Sequence, residues 1–364
     1  MKVICDRAAL NDALTAASLV VATRTPKPIL ECVRLTAEKD ALIVTAYDQE
    51  VGLRYRVREV EVSRPGEVLL PAEKIAGIAR ESTDETLSLD AEGEICHVRG
   101  KDSHFQVIGQ NTREFPPVPD LEGDPDFQVQ AGPLRECIER TLFAAAREST
   151  RYAINGVLWE RRDKRLRLVA TDGRRLARAE ASLEKSVGSD TESIVPTKVM
   201  SVFARVHAAA DEMVSGKTAA NQILLTTDRA TLSSVLLEGH FPRYEDVIPK
   251  DCDKKIEPAR GEFLSAVRRA ALLTNEESRS VRLSLSGEGV VLTSRAQERG
   301  EARINLSARY NGPAMEIGFN PAFLIDALNV CGEEVVFELK EPGKPGVLKS
   351  GSEFLYVVMP VNLS

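Results

Sequence analysis

Apolar residues alternate with other residues at period two in three stretches of the chain, and these stretches lie 124 residues apart. In the first stretch the apolar positions are Val33, Leu35, Leu42, Val44 and Ala46. The positions 124 residues further on are Val157, Trp159, Leu166, Leu168 and Ala170, and the next set is Val281, Leu283, Val290, Leu292 and Ser294. Alternation of this kind is typical of strands with one buried face. The pattern therefore predicts the same pair of strands three times.

Each stretch is flanked by the same two helical patterns. The first helix of each copy is predicted from apolar residues four or five positions apart: Leu10, Leu14 and Leu19, then Leu134, Ile138 and Leu142, then Phe263, Val267 and Leu272. The second helix is predicted to begin near Pro71, Pro196 or Pro321, because the first helical turn does not need the N–H that proline lacks. Short strands are predicted before the first helices, at Lys2–Cys5, Gln128–Val129 and Lys255–Ile256.

A repeat of 124 residues is a whole domain, because solenoid units are only about 20–50 residues long. Each copy ends at an apolar residue followed by proline: Phe115-Pro116, Phe241-Pro242 and Met359-Pro360. We therefore expect three domains, named here repeat 1 (1–124), repeat 2 (125–250) and repeat 3 (251–364). Two helices on an antiparallel sheet place each domain in the α+β class. One fold copied three times suggests a geometric role rather than a single catalytic pocket.

Composition fits a globular chain and adds little about function. A length of 364 residues corresponds to about two to four domains of about 100–200 residues each. The start, Met1-Lys2-Val3-Ile4-Cys5-Asp6, reaches a charge too early for a signal peptide, and no run approaches the roughly 20 apolar residues that span a bilayer. We expect a soluble, cytoplasmic protein with no membrane partner. The cysteines are interpreted as reduced core residues: Cys5, Cys32, Cys96, Cys137, Cys252 and Cys331.

The charge of the chain is ambiguous. A net charge of −7 argues against nucleic acid, whose binding domains usually carry a basic surface. The local charge of two segments differs from the net charge of the chain. Segment Pro196–Ala210 contains basic residues and no acid, and segment Pro258–Asn275 contains three arginines and one acid, Glu262. Solvated helix faces explain such charges more often than DNA binding does. Composition alone therefore does not predict a DNA-binding protein.

Motifs for catalysis are weak throughout the sequence. The four histidines have no paired metal-ligand spacing, and no Ser/His/Asp set can be chosen over any other. The tripeptide Gly216-Lys217-Thr218 resembles the end of a phosphate-binding loop, but position 211 is Asp where that motif requires glycine. We expect a non-enzyme without catalytic residues, cofactor or metal. A nucleotide enzyme that uses this tripeptide is the alternative.

Several segments, spread in order over the whole chain, resemble the bacterial DNA polymerase III β subunit family, the sliding clamps. They are Arg151-Tyr152-Ala153-Ile154-Asn155-Gly156, Val169-Ala170-Thr171-Asp172-Gly173-Arg174-Arg175-Leu176-Ala177, Phe241-Pro242-Arg243-Tyr244, Met315-Glu316-Ile317-Gly318-Phe319-Asn320 and Tyr356-Val357-Val358-Met359-Pro360. The resemblance implies three clamp-type domains per chain and a head-to-tail homodimer that closes a ring of six. It also implies that helices line the hole and that the ring, which is opened by a loader, hydrolyses nothing itself.

The partners implied by the resemblance are duplex DNA, bound without sequence preference, the DNA polymerase III α subunit, the clamp loader and other proteins with a clamp-binding motif. A ring holds DNA by enclosure, so weak phosphate contacts suffice and permit sliding. By resemblance the DNA contacts are Arg24, Arg151, Tyr152, Lys198 and Arg205. A capped loop near a helix end is the alternative role for Arg151 and Tyr152. Ala153 stands where the best-known bacterial clamp has a second aromatic residue for base stacking.

The resemblance also implies a partner pocket between repeats 2 and 3. Its implied lining is Ile154, Thr171, Gly173, Arg174, Arg175, Leu176, Pro242, Val247, Asn320, Phe323, Val347, Val357, Met359 and Pro360. An apolar cleft with a basic rim suits an extended peptide with Leu or Phe anchors; ordinary core is the alternative role for each aliphatic residue. Three departures from the family predict a different peptide preference: Arg174 replaces a histidine, Asp246 replaces an arginine, and the tail reads Val361-Asn362-Leu363-Ser364.

The dimer interface is expected to join repeat 1 of one chain to repeat 3 of the other. The positions implied by resemblance are Lys74, Phe105, Val107, Leu272, Leu273 and Glu298. Phe105 and Val107 would lie on an edge strand opposite the two leucines, and Lys74 would face Glu298. Intramolecular core is the alternative for Leu273. A clamp-like scaffold that binds peptides but no DNA is the remaining alternative for the whole chain.

Overall fold

The computed structural model describes residues 1–22, 24–118, 123–148, 152–206, 208–219, 221–274, 280–296 and 300–363. The helices in these ranges are α1 (Arg7–Val20), α2 (Ala72–Glu81), α3 (Ala131–Leu142), α4 (Thr197–Phe203), α5 (Arg260–Ala271) and α6 (Pro321–Val330). Every helix within the described ranges is too short or too polar to cross a membrane.

The strands are short and follow one another in antiparallel sheets. They are β1 (Lys2–Asp6), β2 (Cys32–Ala37), β3 (Leu42–Tyr47), β4 (Val51–Val57), β5 (Val60–Arg64), β6 (Gly66–Pro71), β7 (Thr86–Glu92), β8 (Ile95–Arg99), β9 (His104–Ile108), β10 (Phe127–Gln130), β11 (Gly156–Arg162), β12 (Arg165–Thr171), β13 (Arg175–Ser182), β14 (Lys185–Ser186), β15 (Thr191–Pro196), β16 (Met213–Ala219), β17 (Gln222–Thr226), β18 (Ala230–Val235), β19 (Lys254–Ile256), β20 (Val281–Ser286), β21 (Gly289–Ala296), β22 (Gly300–Leu306), β23 (Met315–Phe319), β24 (Val336–Leu339), β25 (Gly346–Ser350) and β26 (Phe354–Val358).

The chain forms two compact units. The first unit contains Met1–Arg135, Ser182–Ser189 and Val195–Leu237, and the second contains Glu136–Ala181, Asp190–Ile194 and Glu238–Ser364. In the first unit a five-stranded sheet has the order β5-β1-β7-β8-β9, and a nine-stranded sheet has the order β14-β10-β16-β17-β18-β4-β3-β2-β6. In the second unit the orders are β15-β11-β12-β13-β26-β25-β24-β19 and β22-β21-β20-β23. The predicted domain boundaries at 124 and 250 stay predictions.

The three-fold sequence pattern is confirmed in the positions that first revealed it. All fifteen residues of the 124-residue pattern are buried, from Val33 at 0% exposure to Ser294 at 6%. They lie on the paired strands β2 and β3, β11 and β12, and β20 and β21. The second helices also begin as predicted, with Pro71 and Pro196 as N-cap residues and Pro321 in the first turn. The α+β prediction is therefore correct.

Within the first unit, one seam joins a strand of repeat 1 to a strand of repeat 2. Strands β4 and β18 pair antiparallel, with Leu53 opposite Leu232, and helix α1 packs against α4. Lys198, in the first turn of α4, donates from Nζ to the carbonyl of Val20 at 2.8 Å and pairs with Asp48. The seam thus consists of a strand pair, a helix pair and the two bonds of Lys198.

Within the second unit, the corresponding strands of repeats 2 and 3 pair in the same way. Strand β13 lies antiparallel to β26, with Leu176 opposite Val357. Because strands from two repeats complete one sheet in each seam, sequence repeats and compact units do not coincide.

Three predictions at the level of single residues are wrong. Leu19 and Leu272 were expected on the buried helix faces, but they are 41% and 76% exposed, because each lies at the end of its helix. The tripeptide Gly216-Lys217-Thr218 belongs to strand β16 and not to a phosphate-binding loop, which removes the basis of the nucleotide-enzyme alternative. Cys252 is only partly buried, while the other five cysteines are buried and free as predicted.

Candidate functional site

All fourteen predicted pocket residues lie in the second unit, on and around the β13–β26 strand pair. Leu176 lies opposite Val357 on this pair, and Val347 of β25 lies opposite Val357 on its other side. Beyond the strand ends, the backbone N–H of Met359 donates to the carbonyl of Arg174 at 2.9 Å. The structure therefore brings together residues that are more than 180 positions apart in the sequence.

These residues form a buried layer and an exposed layer. The buried layer is Ile154, Thr171, Leu176, Val347 and Val357, each at most 7% exposed. The burial of these five residues is explained by ordinary core packing. The exposed layer is Gly173, Arg174, Val247 and Met359, with half-buried Arg175, Pro242, Asn320, Phe323 and Pro360. Val247 and Met359 are 51% and 42% exposed, so they offer apolar surface that core packing does not require.

Arg175 is a structural junction, because its guanidinium joins several segments by hydrogen bonds. It is therefore not a freely exposed cation on the rim of the pocket. Its Nε donates to Asp172 at 3.0 Å, Nη1 to Asp326 at 2.6 Å, and Nη2 to the carbonyl of Phe143 at 2.8 Å. The guanidinium also lies 4.6 Å from the ring centroid of Phe323, within cation–π range. Burial alone would lower the pKa of Arg175, but its bonds to these carboxylates raise it, so the side chain stays charged.

The turn between β12 and β13 holds the start of this strand pair. Asp172-Gly173 is a common sequence for a type I′ turn but does not form one here. That turn needs positive φ at both residues, and of the two only Gly173 has it, at 84°. Instead the Asp172 carboxylate accepts from the backbone N–H groups of Arg174 and Arg175 at 2.9 and 3.0 Å. Thr171 Oγ1 donates to the carbonyl of Arg175 at 2.6 Å. Side-chain bonds therefore fix the turn that presents Arg174.

Helix α6 and the chain end close another side of the same region. Asn320 caps α6 by accepting from the N–H of Ala322 at 3.0 Å. Its neighbour Gly318 accepts a backbone bond from Val361 at 2.9 Å. A Cβ on Gly318 would meet the side chain of Leu363 at 2.6 Å. Val361 and Leu363 of the tail therefore pack against strand β23.

The predicted DNA-contacting residues lie in different settings. In the first unit, Arg24 and Arg205 are exposed, whereas Lys198 is paired with Asp48 in the β4–β18 seam. In the second unit, Tyr152 is 44% exposed. The neighbouring Ala153 is 9% exposed, and a Cβ added to Gly239 would lie 3.3 Å from its methyl group, so the Ala153 side chain points inward. Arg151 lies outside the described residues.

The predicted dimer residues of the first unit lie beside an open groove. Strand β9 ends its sheet, and on it Phe105 is 39% exposed and Val107 is 7% exposed. A groove of about 950 Å³ runs along α2 and includes Lys74 and Phe105 in its lining. Lys74 is exposed and lies 3.7 Å from Glu73.

The predicted dimer residues of the second unit are apolar and lie at a helix end. Leu272 is 76% exposed at the C-terminal end of α5, and Leu273 is half-buried, so Leu273 is not fully buried core. Strand β22 ends the four-stranded sheet. Glu298 lies outside the described residues.

Comparison with known proteins gives one consistent result. Three family models match in order: the DNA polymerase III β subunit N-terminal domain at residues 1–119, the central domain at 128–243 and the C-terminal domain at 245–362. The β sliding clamp of Pseudomonas aeruginosa is 34% identical over 363 residues, covering 98% of both chains. That of Chlamydia pneumoniae is 30% identical over 367 residues, covering 100% of this chain and 99% of the relative.

Solved structures agree with the sequence relatives. A P. aeruginosa sliding clamp bound to griselimycin superposes with a TM-score of 0.92 at 33% identity, with complete coverage of both chains. A Bacillus subtilis clamp gives a TM-score of 0.92 at 24% identity, again over both complete chains, and supports the fold. The chain therefore belongs to the bacterial DNA polymerase III β subunit family, the sliding clamps, which are non-catalytic processivity factors of replication.

Proposed function

We propose that two copies of this chain close head to tail into a ring that encloses duplex DNA in the cytoplasm, and that the exposed layer around Met359 binds peptide segments of replication proteins. The observation that carries the ring is the β4–β18 seam, which joins repeat 1 to repeat 2 in one chain. Strands β9 and β22 hold the corresponding places in repeats 1 and 3, and each ends its sheet. A heterologous contact that closes gives a ring instead of a filament.

The internal seam supplies a residue register for the proposed interface. Phe105 pairs with Val98 as Leu232 pairs with Leu225, so Phe105 corresponds to Leu232. Ala302 pairs with Ser294 as Leu53 pairs with Ala46, so Ala302 corresponds to Leu53. The Leu53–Leu232 pair would then become Phe105 opposite the partner's Ala302, which combines a large residue with a small one.

The helices follow the same correspondence. Helix α1 packs on α4 in the internal seam, and α5 and α2 hold the same places in repeats 3 and 1. The end of α5, with exposed Leu272, would therefore occupy the partner's groove along α2. Lys74 lies in the first turn of α2, as Lys198 does in α4, and would face Glu298 of the partner subunit.

Enclosure needs only weak contact with DNA. We propose that the phosphate backbone is contacted by Arg24, Arg151, Tyr152, Lys198 and Arg205. Lys198 should contribute less to DNA binding than the others, because Asp48 already neutralises its charge. The net charge of −7 is compatible with this role, since a strongly basic hole would slow sliding. The proposed partners are duplex DNA, the DNA polymerase III α subunit, the clamp loader and other proteins with a clamp-binding motif.

Truncating Met359 tests the proposed pocket without disturbing the core. Met359→Ala is expected to weaken a Leu/Phe-anchored peptide by about ten- to a hundredfold, since loss of an anchor-facing wall costs about 1–3 kcal/mol. The melting temperature should change little because this side chain is 42% exposed. Fluorescence anisotropy with one labelled peptide measures the affinity.

Ile95→Ala is the matched control, because Ile95 is a comparably exposed apolar side chain, at 40%, in the first unit. It should leave the peptide affinity unchanged. Equal affinities of wild type and Met359→Ala would show that the peptide binds elsewhere, even if the ring is correct.

A further inference from the structure

We infer that Tyr244, held by Glu160 and Arg167, is a positioning residue that sets the pocket walls Pro242 and Val247 without contacting the bound peptide. This inference rests on the proposed peptide pocket and names a part of it. The short 3-10 helix Tyr244–Val247 begins two residues after Pro242 in the chain. It carries the half-exposed wall Val247 at one end and a buried phenol at the other.

The phenol of Tyr244 is anchored to side chains of the β11–β12 pair. Tyr244 is 5% exposed, and its hydroxyl donates to Glu160 Oε2 at 2.6 Å. The same hydroxyl accepts from Nη1 of Arg167 at 3.1 Å. Hydrogen bonds with an ionised partner are roughly twice as strong as neutral ones. The first residue of the 3-10 helix is therefore fixed to the sheet at both its donor and its acceptor sites.

Glu160 is itself held in place, so the anchor is rigid. It is 3% exposed on β11 and lies opposite Arg167 of β12. Arg162 donates to its other carboxylate oxygen at 2.9 Å. Arg167 in turn donates from Nε to Glu180 at 2.8 Å and lies 3.7 Å from Glu245. A buried carboxylate with this set of partners is held in one position, so the hydrogen bond from the tyrosine has one geometry.

The geometry of the 3-10 helix links the position of Tyr244 to that of the pocket wall Val247. Residues three apart in a 3-10 helix lie on the same side, so the direction of Tyr244 also sets that of Val247. On the other side of Tyr244, the ring of Phe241 packs edge-on at 6.5 Å between centroids. Pro242 lies between these two fixed rings in the sequence. One hydroxyl therefore positions both pocket residues of this segment.

The protonation of the phenol suits this role. Burial, together with the hydrogen bond to Glu160, raises the pKa of Tyr244 to about 12. The hydroxyl therefore remains a neutral donor at every pH at which the peptide is assayed.

Tyr244→Phe tests the inference by removing one oxygen and keeping the ring. We expect peptide affinity to fall by about three- to tenfold, in the lower part of the range for loss of a supporting contact. Because the effect acts through both walls, it should be smaller when Val247→Ala is already present, which leaves only the share that passes through Pro242. If Tyr244 had only a general structural role, the affinity losses of Tyr244→Phe and Val247→Ala would multiply in the double variant. Anisotropy titration of the four variants of this double-mutant cycle measures both quantities.

Tyr310→Phe is the matched control, since it also removes a buried hydroxyl bond in the second unit, from Tyr310 to the carbonyl of Pro313 at 2.7 Å. It should leave peptide affinity unchanged at a comparable shift in melting temperature. Wild-type affinity in Tyr244→Phe, an equal loss in Tyr310→Phe, or multiplying losses in the double variant would overturn the inference. If Met359→Ala and Val247→Ala are also without effect, the proposed pocket itself fails.

Discussion

The double variant Leu272→Ala, Leu273→Ala is expected to be a folded monomer where the wild type is a dimer. Leu272 is 76% exposed in the single chain, so its removal creates no cavity in the fold. In the proposed ring each leucine is buried against the partner, which is worth about 1.5–3 kcal/mol per side chain. A ring of two chains has two seams, so four leucines are lost and the dissociation constant should rise by more than about a thousandfold.

Sedimentation velocity over a concentration series measures this change. Leu19→Ala is the matched control, because Leu19 holds the corresponding position at the end of α1 and is 41% exposed. It should leave the dimer intact, and both variants should keep the circular dichroism spectrum of the wild type. A dimer of unchanged affinity in the double variant would show that the seam is misplaced.

Cross-linking tests the register of the same seam. Gln106 should lie opposite the partner's Glu301, as Ser233 lies opposite Gly52 in the internal seam. Hydrogen-bonded antiparallel pairs have Cα atoms about 5.5 Å apart, a separation that disulfides accept. Gln106→Cys with Glu301→Cys should therefore cross-link readily, and Gln106→Cys with Arg303→Cys, two residues out of register, should not.

Replacing Arg175 is expected to destabilise the second unit more than any other rim substitution. Arg175→Ala leaves Asp172, Asp326 and the carbonyl of Phe143 without their donor, which should cost about 2–4 kcal/mol. The melting temperature should fall by about 5–10 °C for a unit of this size. Peptide affinity should fall as well, because Phe323 loses the guanidinium that stacks on it.

Two variants separate this role from that of a surface charge. Arg174→Ala removes the exposed neighbouring cation and should change stability by no more than about 0.5 kcal/mol. Arg175→Lys keeps the charge but loses the planar fork, so its stability should fall between those of wild type and Arg175→Ala. Differential scanning calorimetry that finds Arg175→Ala as stable as Arg174→Ala would exclude the junction role.

The sequence was sufficient for the fold because strand periodicity survives in every copy. Val33, Val157 and Val281 are all buried on equivalent strands, since a one-residue slip would turn a whole apolar face outward. Helix ends were predicted less well. Leu19 and Leu272 continue the apolar spacing of their helices, yet both are exposed, because spacing does not reveal where a helix leaves the core.

The pocket residues followed from motifs, but their division into two layers did not. Leu176 and Met359 were both expected as apolar walls, and only Met359 is exposed. The junction at Arg175 was invisible in the sequence because its partner Asp326 is 151 positions away. Tyr244 stood within a recognised motif, but its anchor Glu160 is 84 positions away. Long-range polar contacts of this kind leave no periodic signal.

Enclosure of DNA is the central claim, and retention on DNA of two topologies tests it most directly. Clamp assembled by its loader on nicked circular plasmid should remain bound through gel filtration, because a closed ring cannot leave a circle. Cutting the plasmid once should release it, since the weak phosphate contacts of a sliding clamp do not hold a ring on a free end. Equal retention on circular and linearised DNA would contradict enclosure, and absence from both would favour a scaffold that binds peptides but no DNA.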